Sequence, residues 1–186
     1  MPMFHLDTSF TKLTAVDPGE YESCVFTSCE LGEADLSNRV FIECEFVNCN
    51  LSLARLYGTS FRDCVFRDCK LLGLRFDQCN PIALSPRFER CALSHASFHK
   101  GVLKKIRFEG CSLTDVDFTQ ADLTDALFEE CDLRGAAFDG TNLEKADFRT
   151  AVNVGMDPER NRLSKAKFSL QGLPGLVGKY GVIVSG

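Results

Sequence analysis

The chain has 186 residues, a length typical of one domain or of one short repeat array. Apolar residues make up 45% of it, enough for a sizeable core, and the formal net charge is −5. A mildly acidic chain lacks the basic surface that a phosphate backbone requires, so direct nucleic-acid binding is excluded as its main activity.

The first predicted element is an N-terminal cap formed by residues 1–18. Its larger apolar residues are Phe4, Leu6, Phe10 and Leu13. They can cover the open end of the structure that follows. The opening letters MPMFHLDTSF lack the basic region and apolar run of a signal peptide. No apolar stretch approaches the roughly 20 residues of a membrane helix, so we expect a cytoplasmic protein with no membrane contact.

The second element, residues 19–150, carries an apolar residue at every fifth position. The stretch FRDCVFRDCKL, residues 61–71, shows this repeat twice. The apolar register begins at Tyr21 and has 25 positions, all of which are Phe or Leu except Tyr21 itself. It contains 13 of the 16 Phe residues of the chain.

A five-residue period fits neither one α-helix nor one straight strand. Five helical residues rotate the apolar position by about 140°, and an odd step along a strand reverses the face. The period fits a chain that extends for a few residues and then turns a corner. In each extended piece, the register residue and the residue two before it point inward. We therefore predict an all-β solenoid.

Residue identities predict four corners in each coil. At a step of 20 residues, which widens to 22 once, one side is all Phe and the next is all Leu. Six pairs of cysteines lie 20 residues apart, against three pairs at the 15 residues of a three-sided coil. Residues 19–150 then make about six and a half coils with neighbouring strands about 4.8 Å apart. The predicted Phe column of the core is Phe26, Phe46, Phe66, Phe88, Phe108, Phe128 and Phe148.

All ten cysteines fall two positions before the apolar register. There a Cys serves as a small apolar filler between larger side chains. Stacked neighbours would lie parallel about 4.8 Å apart, which is unsuitable for disulfides, and a ladder does not converge as zinc ligands must. We predict free thiols and no metal. The continuous ladder of the core is Cys29, Cys49, Cys69, Cys91, Cys111 and Cys131.

Two features interrupt the repeat. Residues 80–87 shift the register by two and contain Pro81 and Pro86. Arg39 occupies an inward position, where an unpaired charge is costly. We expect either a local bulge at Arg39 or an escape of its side chain to solvent.

The third element, residues 151–186, is a predicted helix followed by a short strand. Asp157-Pro158-Glu159 has an N-cap Asp and a Pro at the first helical position, and Gly181 would end the helix. The apolar strand at 182–184 needs a cover, which is either a second copy of the chain or the last coil. The predicted dimer interface is Leu173, Leu176, Val177, Tyr180, Val182, Ile183 and Val184.

Charge is distributed in blocks. Residues 17–45 carry a net charge of −7, residues 85–108 carry +5, and residues 109–147 carry −9. The last block spans about two coils, or about 10 Å, over which duplex DNA carries about six charges. It is interpreted as a DNA-like surface; the alternative is that outward acids serve solubility alone. The acids are Glu109, Asp115, Asp117, Asp122, Asp125, Glu129, Glu130, Asp132, Asp139, Glu144 and Asp147.

The sequence contains no motif typical of an enzyme. There is no glycine-rich phosphate loop and no G-x-S-x-G elbow, and every Cys belongs to the core register. His95 and His99 lie on successive pieces of the coil and do not share a helical face. We predict no catalytic residue, no metal ligand and no cofactor.

The pentads ADLSN, CDLRG, TNLEK, ADFRT and ADLTD resemble the A(D/N)LXX motif of pentapeptide-repeat proteins. The resemblance covers residues 19–150 and implies a right-handed, four-sided β-helix. The chain end, MDPERNRLSKAKF followed by LQGLPGLVGKYGVIVSG, is similar to the Qnr and MfpA type and more closely to its microcin-immunity member.

The second similarity implies a function. It implies a homodimer that presents a DNA-like rod to DNA gyrase or topoisomerase IV and protects the enzyme from quinolones or peptide toxins. The chain departs from one large Qnr subgroup in having no long loops, only the slip at 80–87, which favours toxin immunity over drug protection. A solenoid scaffold for another protein partner is the alternative.

Overall fold

The computed structural model describes residues 3–183 of the chain. They form a parallel β-solenoid of about eight turns with one short α-helix near the C-terminal end. The strands are β1 (Met3–Leu6), β2 (Ser9–Thr11), β3 (Gly19–Glu22), β4 (Val25–Thr27), β5 (Val40–Ile42), β6 (Glu45–Val47), β7 (Ser60–Arg62), β8 (Val65–Arg67), β9 (Arg87–Glu89), β10 (Arg107–Glu109), β11 (Leu127–Glu129), β12 (Asp147–Phe148) and β13 (Lys167–Phe168). The helix is α1 (Pro174–Val177), and 3-10 turns are formed by Phe76–Gln78, Pro81–Ala83, Leu170–Gly172 and Gly178–Tyr180.

Parallel pairing between successive coils defines four faces, numbered here in chain order. Face 1 contains the four-stranded sheet β1-β3-β5-β7 and the later bridges Val102–Asp122 and Asn142–Arg162. Face 2 is a nine-stranded sheet that runs from β2 to β13. Face 3 contains the bridges from Glu30–Asn50 to Asp132–Val152, and face 4 those from Asp35–Arg55 to Asp117–Ala137. The predicted four-sided coil is therefore present.

The corners explain the five-residue period. Most corners place a residue two positions after the register in the left-handed region, as at Asn38 (φ 60°), Asp63 (φ 51°) and Gly58 (φ 66°). Gly, Asn and Asp adopt this conformation at low cost, and larger residues such as Leu53 (φ 60°) pay more. Since the next extended piece can start only after such a corner, the apolar position returns every fifth residue.

The core is a stack of aromatic rings and small inward side chains. Every residue of the predicted Phe column and of the Cys ladder is at most 2% exposed. Phe26 and Phe46 stack in parallel with ring centroids 4.8 Å apart, and Phe128 and Phe148 do so at 4.7 Å. Stacking of like residues through successive coils lets each coil stabilise its neighbours.

A second aromatic column packs edge-on against the first and changes face at the register slip. It runs along face 1 as Tyr21, Phe41 and Phe61, and along face 4 from Phe76 to Phe138. The junction between Phe61 and Phe76 is tilted, with centroids 6.3 Å apart. The slip therefore moves the second aromatic column from face 1 to face 4, and the solenoid continues beyond it.

The solenoid extends past both predicted limits, 19 and 150. β1 and β2 pair with β3 and β4, although only 16 residues separate Phe10 from Phe26. β13 pairs with β12 and places Phe168 against Phe148. The first coil is shortened and the last has lost most of the repeat letters, so neither follows a strict five-residue register. This accounts for about eight turns where the repeat alone gives six and a half.

Two local predictions differ from the structure. Asp157 does not begin a helix: its carboxylate accepts the Glu159 N–H at 2.9 Å in a single turn, because the chain then rejoins the coil at Leu163. The C-terminal helix is only α1, and Gly181 (φ 65°) ends the 3-10 turn after it. Val182 and Ile183 are irregular, and Val184 lies outside the described residues.

Arg39 neither bulges nor escapes to solvent. β5 follows it in register with β3 and β7, and the side chain is half-buried. Its guanidinium donates to the Val16 carbonyl at 2.9 and 3.2 Å and to the Ser37 carbonyl at 3.0 Å. The guanidinium is thus hydrogen-bonded to one carbonyl of the short first coil and to a second carbonyl two residues before Arg39.

Candidate functional site: an acidic surface and the C-terminal segment

All eleven acids of the 109–147 block point outward, and none is buried. They occupy all four faces and do not form a single stripe. Asp122 and Glu144 lie on face 1, Glu109 and Asp147 on face 2, Asp132 on face 3, and Asp117 and Asp139 on face 4. Asp115, Asp125 and Glu130 are left-handed corner residues. Glu129 follows Phe128 on face 2.

Basic side chains, from neighbouring coils in four of six ion pairs, partly neutralise this surface. Arg160 and Arg162, for example, belong to the following sequence block but lie beside Asp139 and Glu144, because stacking brings residues about one coil apart together. The ion pairs are Lys104–Asp122 (3.4 Å), Arg134–Asp132 (3.5 Å), Arg160–Asp139 (2.6 Å), Arg162–Glu144 (2.6 Å), Arg149–Asp147 (2.7 Å) and Lys167–Asp147 (3.6 Å). The block charge of −9 therefore overstates the free negative charge.

Hydrogen bonds hold several of these carboxyl groups in the ionised form. The Arg149 guanidinium keeps the pKa of Asp147 below its ordinary value, and the Asn153 amide does the same for the pKa of Asp132. These groups stay negative at neutral pH but are already compensated by their neighbours. They are poorly suited to recruit a cationic partner.

Four acids form what we call the free acidic cluster: Glu109, Asp125, Glu129 and Glu130. All four are exposed, and none forms an ion pair within residues 3–183. Glu109 and Glu129 are opposite each other on β10 and β11, so their backbones are about 4.8 Å apart. Like charges in such positions repel unless a partner compensates them. This cluster is the part of the acidic block best placed to meet a basic surface.

The C-terminal segment docks onto the last coil through polar contacts. The Lys179 ammonium lies 2.6 Å from the Asp157 carboxylate and 2.7 Å from that of Glu159. The Tyr180 hydroxyl donates to Glu159 at 2.7 Å, and the Met156 N–H donates to the Gly175 carbonyl at 3.2 Å. The Asp157 carboxylate, followed by that of Glu159, raises the pKa of Lys179.

The docked segment still exposes apolar side chains. Leu176 packs against the core and Val177 is half-buried. The exposed apolar residues of the segment are Leu170 (81%), Leu173 (45%), Tyr180 (58%), Val182 (55%) and Ile183 (92%). Sequence reasoning did not include Leu170, because the helical spacing that pointed to the others starts at Leu173. The segment is therefore docked on the last coil and still has several apolar side chains exposed to solvent.

The cysteines offer no reactive site. All ten are free and buried. The Cys49 thiol donates to the Phe26 carbonyl at 3.3 Å, a bond that reaches 23 residues back, and Cys69 bonds Phe46 in the same way. Burial raises the pKa of the Cys64 and Cys79 thiols, which suppresses the nucleophilic thiolate at these two positions.

The histidines and acids of residues 3–183 do not meet the requirements of a metal site. No group of three His, Cys, Asp or Glu side chains in that range could hold a metal ion. His95 and His99 lie near single carboxylates, Asp115 and Asp117, at 3.8 and 4.0 Å. None of the helices described is long and apolar enough to cross a membrane.

The pairing and the core together define a four-sided β-solenoid built from stacked five-residue repeats. Family models for pentapeptide repeats match residues 22–56 and 44–80, in a model of eight copies, and residues 84–156, in a model of the repeat region. The chain belongs to the pentapeptide-repeat family. A comparison with curated proteins finds no match.

Solved structures with similar folds are pentapeptide-repeat proteins. A trypsin-treated QnrB1, a plasmid-mediated fluoroquinolone resistance protein, is 22% identical with a TM-score of 0.49 and covers 100% of this chain and 99% of its own. Full-length QnrB1 is 20% identical with a TM-score of 0.38, covering 97% and 100%. HetL from the cyanobacterium Nostoc sp. strain PCC 7120 is 18% identical with a TM-score of 0.27, covering 91% and 86%.

Proposed function

We propose that this chain is a non-enzymatic, DNA-mimicking protein that binds a type II topoisomerase and protects it from poisoning by a quinolone or a peptide toxin. The enzyme would be DNA gyrase, topoisomerase IV or both. The free acidic cluster carries the proposal, because its four carboxylates are exposed on the β-solenoid and form no ion pair within residues 3–183. The proposal includes action in the cytoplasm, because the ten free thiols fit a reducing compartment.

The spacing of the solenoid supports charge mimicry. Successive strands place equivalent side chains about 4.8 Å apart, and duplex DNA carries one charge per about 1.7 Å of axis. A single row of acids therefore has fewer charges per length of axis than DNA. The charge density of the cluster is higher because it combines two positions on face 2 with the two adjoining corners. A basic saddle that accepts DNA would meet Glu109 and Glu129 in the centre, with Asp125 and Glu130 at the sides.

The C-terminal segment supports a homodimer. Leu170, Leu173 and Ile183 are each exposed on the segment that docks on the last coil, and a second copy would cover them. A joint at this end would place the free acidic clusters of the two copies on either side of it. The pair would then present a longer acidic rod than one copy can.

Protection from a peptide toxin is favoured over protection from a quinolone. The second candidate function is a scaffold that binds another protein. The slip at 80–87 adds a single 3-10 turn, Pro81–Ala83, and no long loop. In having no long loop at the slip, this sequence is similar to the loop-poor members of the family, which include the toxin-immunity member. Five of the eleven acids form ion pairs with Lys or Arg, which favours the second candidate, a scaffold for another protein whose acids serve mainly solubility.

The test is gyrase supercoiling and drug-induced DNA cleavage across a titration of the purified protein. The reactions are run without a poison, with a quinolone and with a microcin-type toxin, and are repeated with topoisomerase IV. The proposal predicts relief of poisoning at low dose and inhibition of supercoiling at high dose. No effect on either enzyme at micromolar protein would contradict it and leave the scaffold as the better account.

A further inference from the structure

The register slip breaks the parallel pairing of face 1. Phe61 pairs with Leu84 and Val102 pairs with Asp122, but no bridge joins Leu84 to Val102 within the described residues. The equivalent N–H groups further along, Asp122 and Asn142, donate to carbonyls of the preceding coil at 2.8 and 2.9 Å. The Val102 N–H makes no such bond within residues 3–183, and Pro86 has no N–H to donate. A gap is left between two neighbouring coils.

The gap opens into a cleft of about 210 Å³ lined by residues on both sides of the break. Leu84, Ser85 and Pro86 form one wall, and Val102 and Ile106 form part of the other. The cleft is larger than a single hydrated ion requires and smaller than a typical site for a drug-sized molecule, which begins near 300 Å³. Its size suits a small organic or inorganic ligand.

Four cations line this cleft: Arg87, Lys104, Lys105 and Arg107. Arg87 and Arg107 are opposite each other on β9 and β10, a like-charge pairing that is unfavourable without a counterion. Arg87, Lys105 and Arg107 form no ion pair within the described residues, whereas Lys104 lies 3.4 Å from Asp122. Positive charge is therefore concentrated where the sheet is interrupted.

One acid, Asp63, also lines the cleft. Its carboxylate accepts the Ser85 hydroxyl at 3.0 Å, and the Ser85 oxygen in turn accepts the Asp63 N–H at 2.9 Å. Asp63 is thus engaged with the slip segment itself. It compensates at most one of the four positive charges.

We propose that this cleft binds a small phosphorylated anion with at least two negative charges, such as a diphosphate or the phosphate end of a sugar phosphate. Arginine pairs phosphate oxygens bidentately, and an unused backbone N–H is a further donor for an anion. A monocarboxylate would leave most of the charge uncompensated, whereas a diphosphate matches it. The inference does not rest on the free acidic cluster or on topoisomerase binding.

The probe is inorganic pyrophosphate, titrated calorimetrically into the full chain at low ionic strength. The double variant Lys105→Gln/Arg107→Gln removes two of the four cations. The matched control is Lys145→Gln/Lys165→Gln, because Lys145 and Lys165 occupy the same corner as Lys105 on later coils, with φ of 60° against 62°. Both variants change the net charge equally, and thermal unfolding of each reports whether the fold is intact.

The proposal predicts binding of pyrophosphate that is about tenfold or more weaker in the cleft variant and unchanged in the control. ADP in a parallel titration tests whether a nucleotide is a better source of the diphosphate. Equal losses in both variants, or no binding at millimolar pyrophosphate, would overturn the assignment. Citrate of similar charge binding as tightly as pyrophosphate would overturn the preference for phosphate.

Discussion

At the scale of single residues, the inward position two residues before each register residue requires a small side chain. A side chain that can donate a hydrogen bond adds stability there, because a carbonyl of the preceding coil lies within reach. Cys69 donates to Phe46, and Thr59 and Thr141 donate to Leu36 and Phe118 at 2.8 and 2.9 Å, each 23 residues back. Cysteine and threonine are therefore alternatives at this site, and volume alone does not explain the cysteines.

This residue-scale rule predicts losses of stability of different size for two substitutions at Cys69. Cys69→Asp should lower the free energy of unfolding by about 3 kcal/mol or more, because it buries an uncompensated charge between Phe66 and Leu71. Cys69→Thr should cost about 1 kcal/mol or less, because Thr can make the same bond to the Phe46 carbonyl. Urea unfolding followed by circular dichroism compares them. Equal losses in the two variants would show that the bond and the apolar environment do not set the tolerance of this position.

At the scale of elements, the C-terminal segment depends on a close backbone approach. A Cβ at Gly175 would collide with the carbonyl of Val154, a backbone group that cannot move aside, whereas one at Gly178 would meet nothing within 4 Å. Since Gly175 also supplies the carbonyl that accepts the Met156 N–H, this residue fixes the segment on the last coil. Lys179 then reaches the turn that starts at Asp157.

The substitution Gly175→Ala should therefore release the segment, with a cost of about 1–3 kcal/mol to its docking. Gly178→Ala, in the same short stretch, should have little effect. Limited proteolysis detects the release as faster cleavage between residues 169 and 181 while the coils stay resistant. Identical cleavage of the two variants would mean that the approach of Gly175 to Val154 does not hold the segment.

The elements that could be predicted from the sequence are those whose side chains repeat. Phe26 through Phe148 define the strands of face 2 because each coil repeats the same packing problem. The end coils could not be predicted in this way. Phe10 is only 16 residues from Phe26, and Leu163 and Phe168 are isolated register residues in a segment whose Asp157-Pro158-Glu159 signals a helix start. Local capping preference was overridden by continued stacking on the last coil.

The sequence predicts which acids lie on the surface, but it does not predict which of them form ion pairs. The outward acids follow from the register. Their partners do not, because Arg160 and Asp139 are 21 residues apart and meet only when coils stack. Counting charge by sequence blocks therefore missed the distinction between the free acidic cluster and its neutralised neighbours. Comparing residues about one coil apart would have found most of the pairs.

At the scale of the whole molecule, the proposed dimer depends on the exposed apolar residues of the C-terminal segment. Deleting residues 173–186 should give monomers, and so should Leu173→Glu/Ile183→Glu, which leaves the core contact of Leu176 in place. The control Tyr57→Glu/Ile82→Glu changes exposed apolar residues on the coils. Light scattering after size exclusion measures the mass. A dimeric mass in the double variant, or dissociation of the control, would contradict this interface.

The central claim is that the free acidic cluster binds a topoisomerase in place of DNA. The most direct measurement is the affinity for DNA gyrase over a range of salt concentrations, for the parent chain and the variant Glu109→Gln/Asp125→Asn/Glu129→Gln/Glu130→Gln. The control Asp17→Asn/Glu20→Gln/Glu33→Gln/Glu43→Gln removes one Asp and three Glu from exposed positions near the other end.

The account predicts an affinity for the parent chain that falls steeply as salt rises. It also predicts about tenfold or more weaker binding with a shallower salt dependence for the cluster variant, and a near-parental control. A cluster variant that binds gyrase as tightly as the parent chain, with the same dependence on salt, would contradict it.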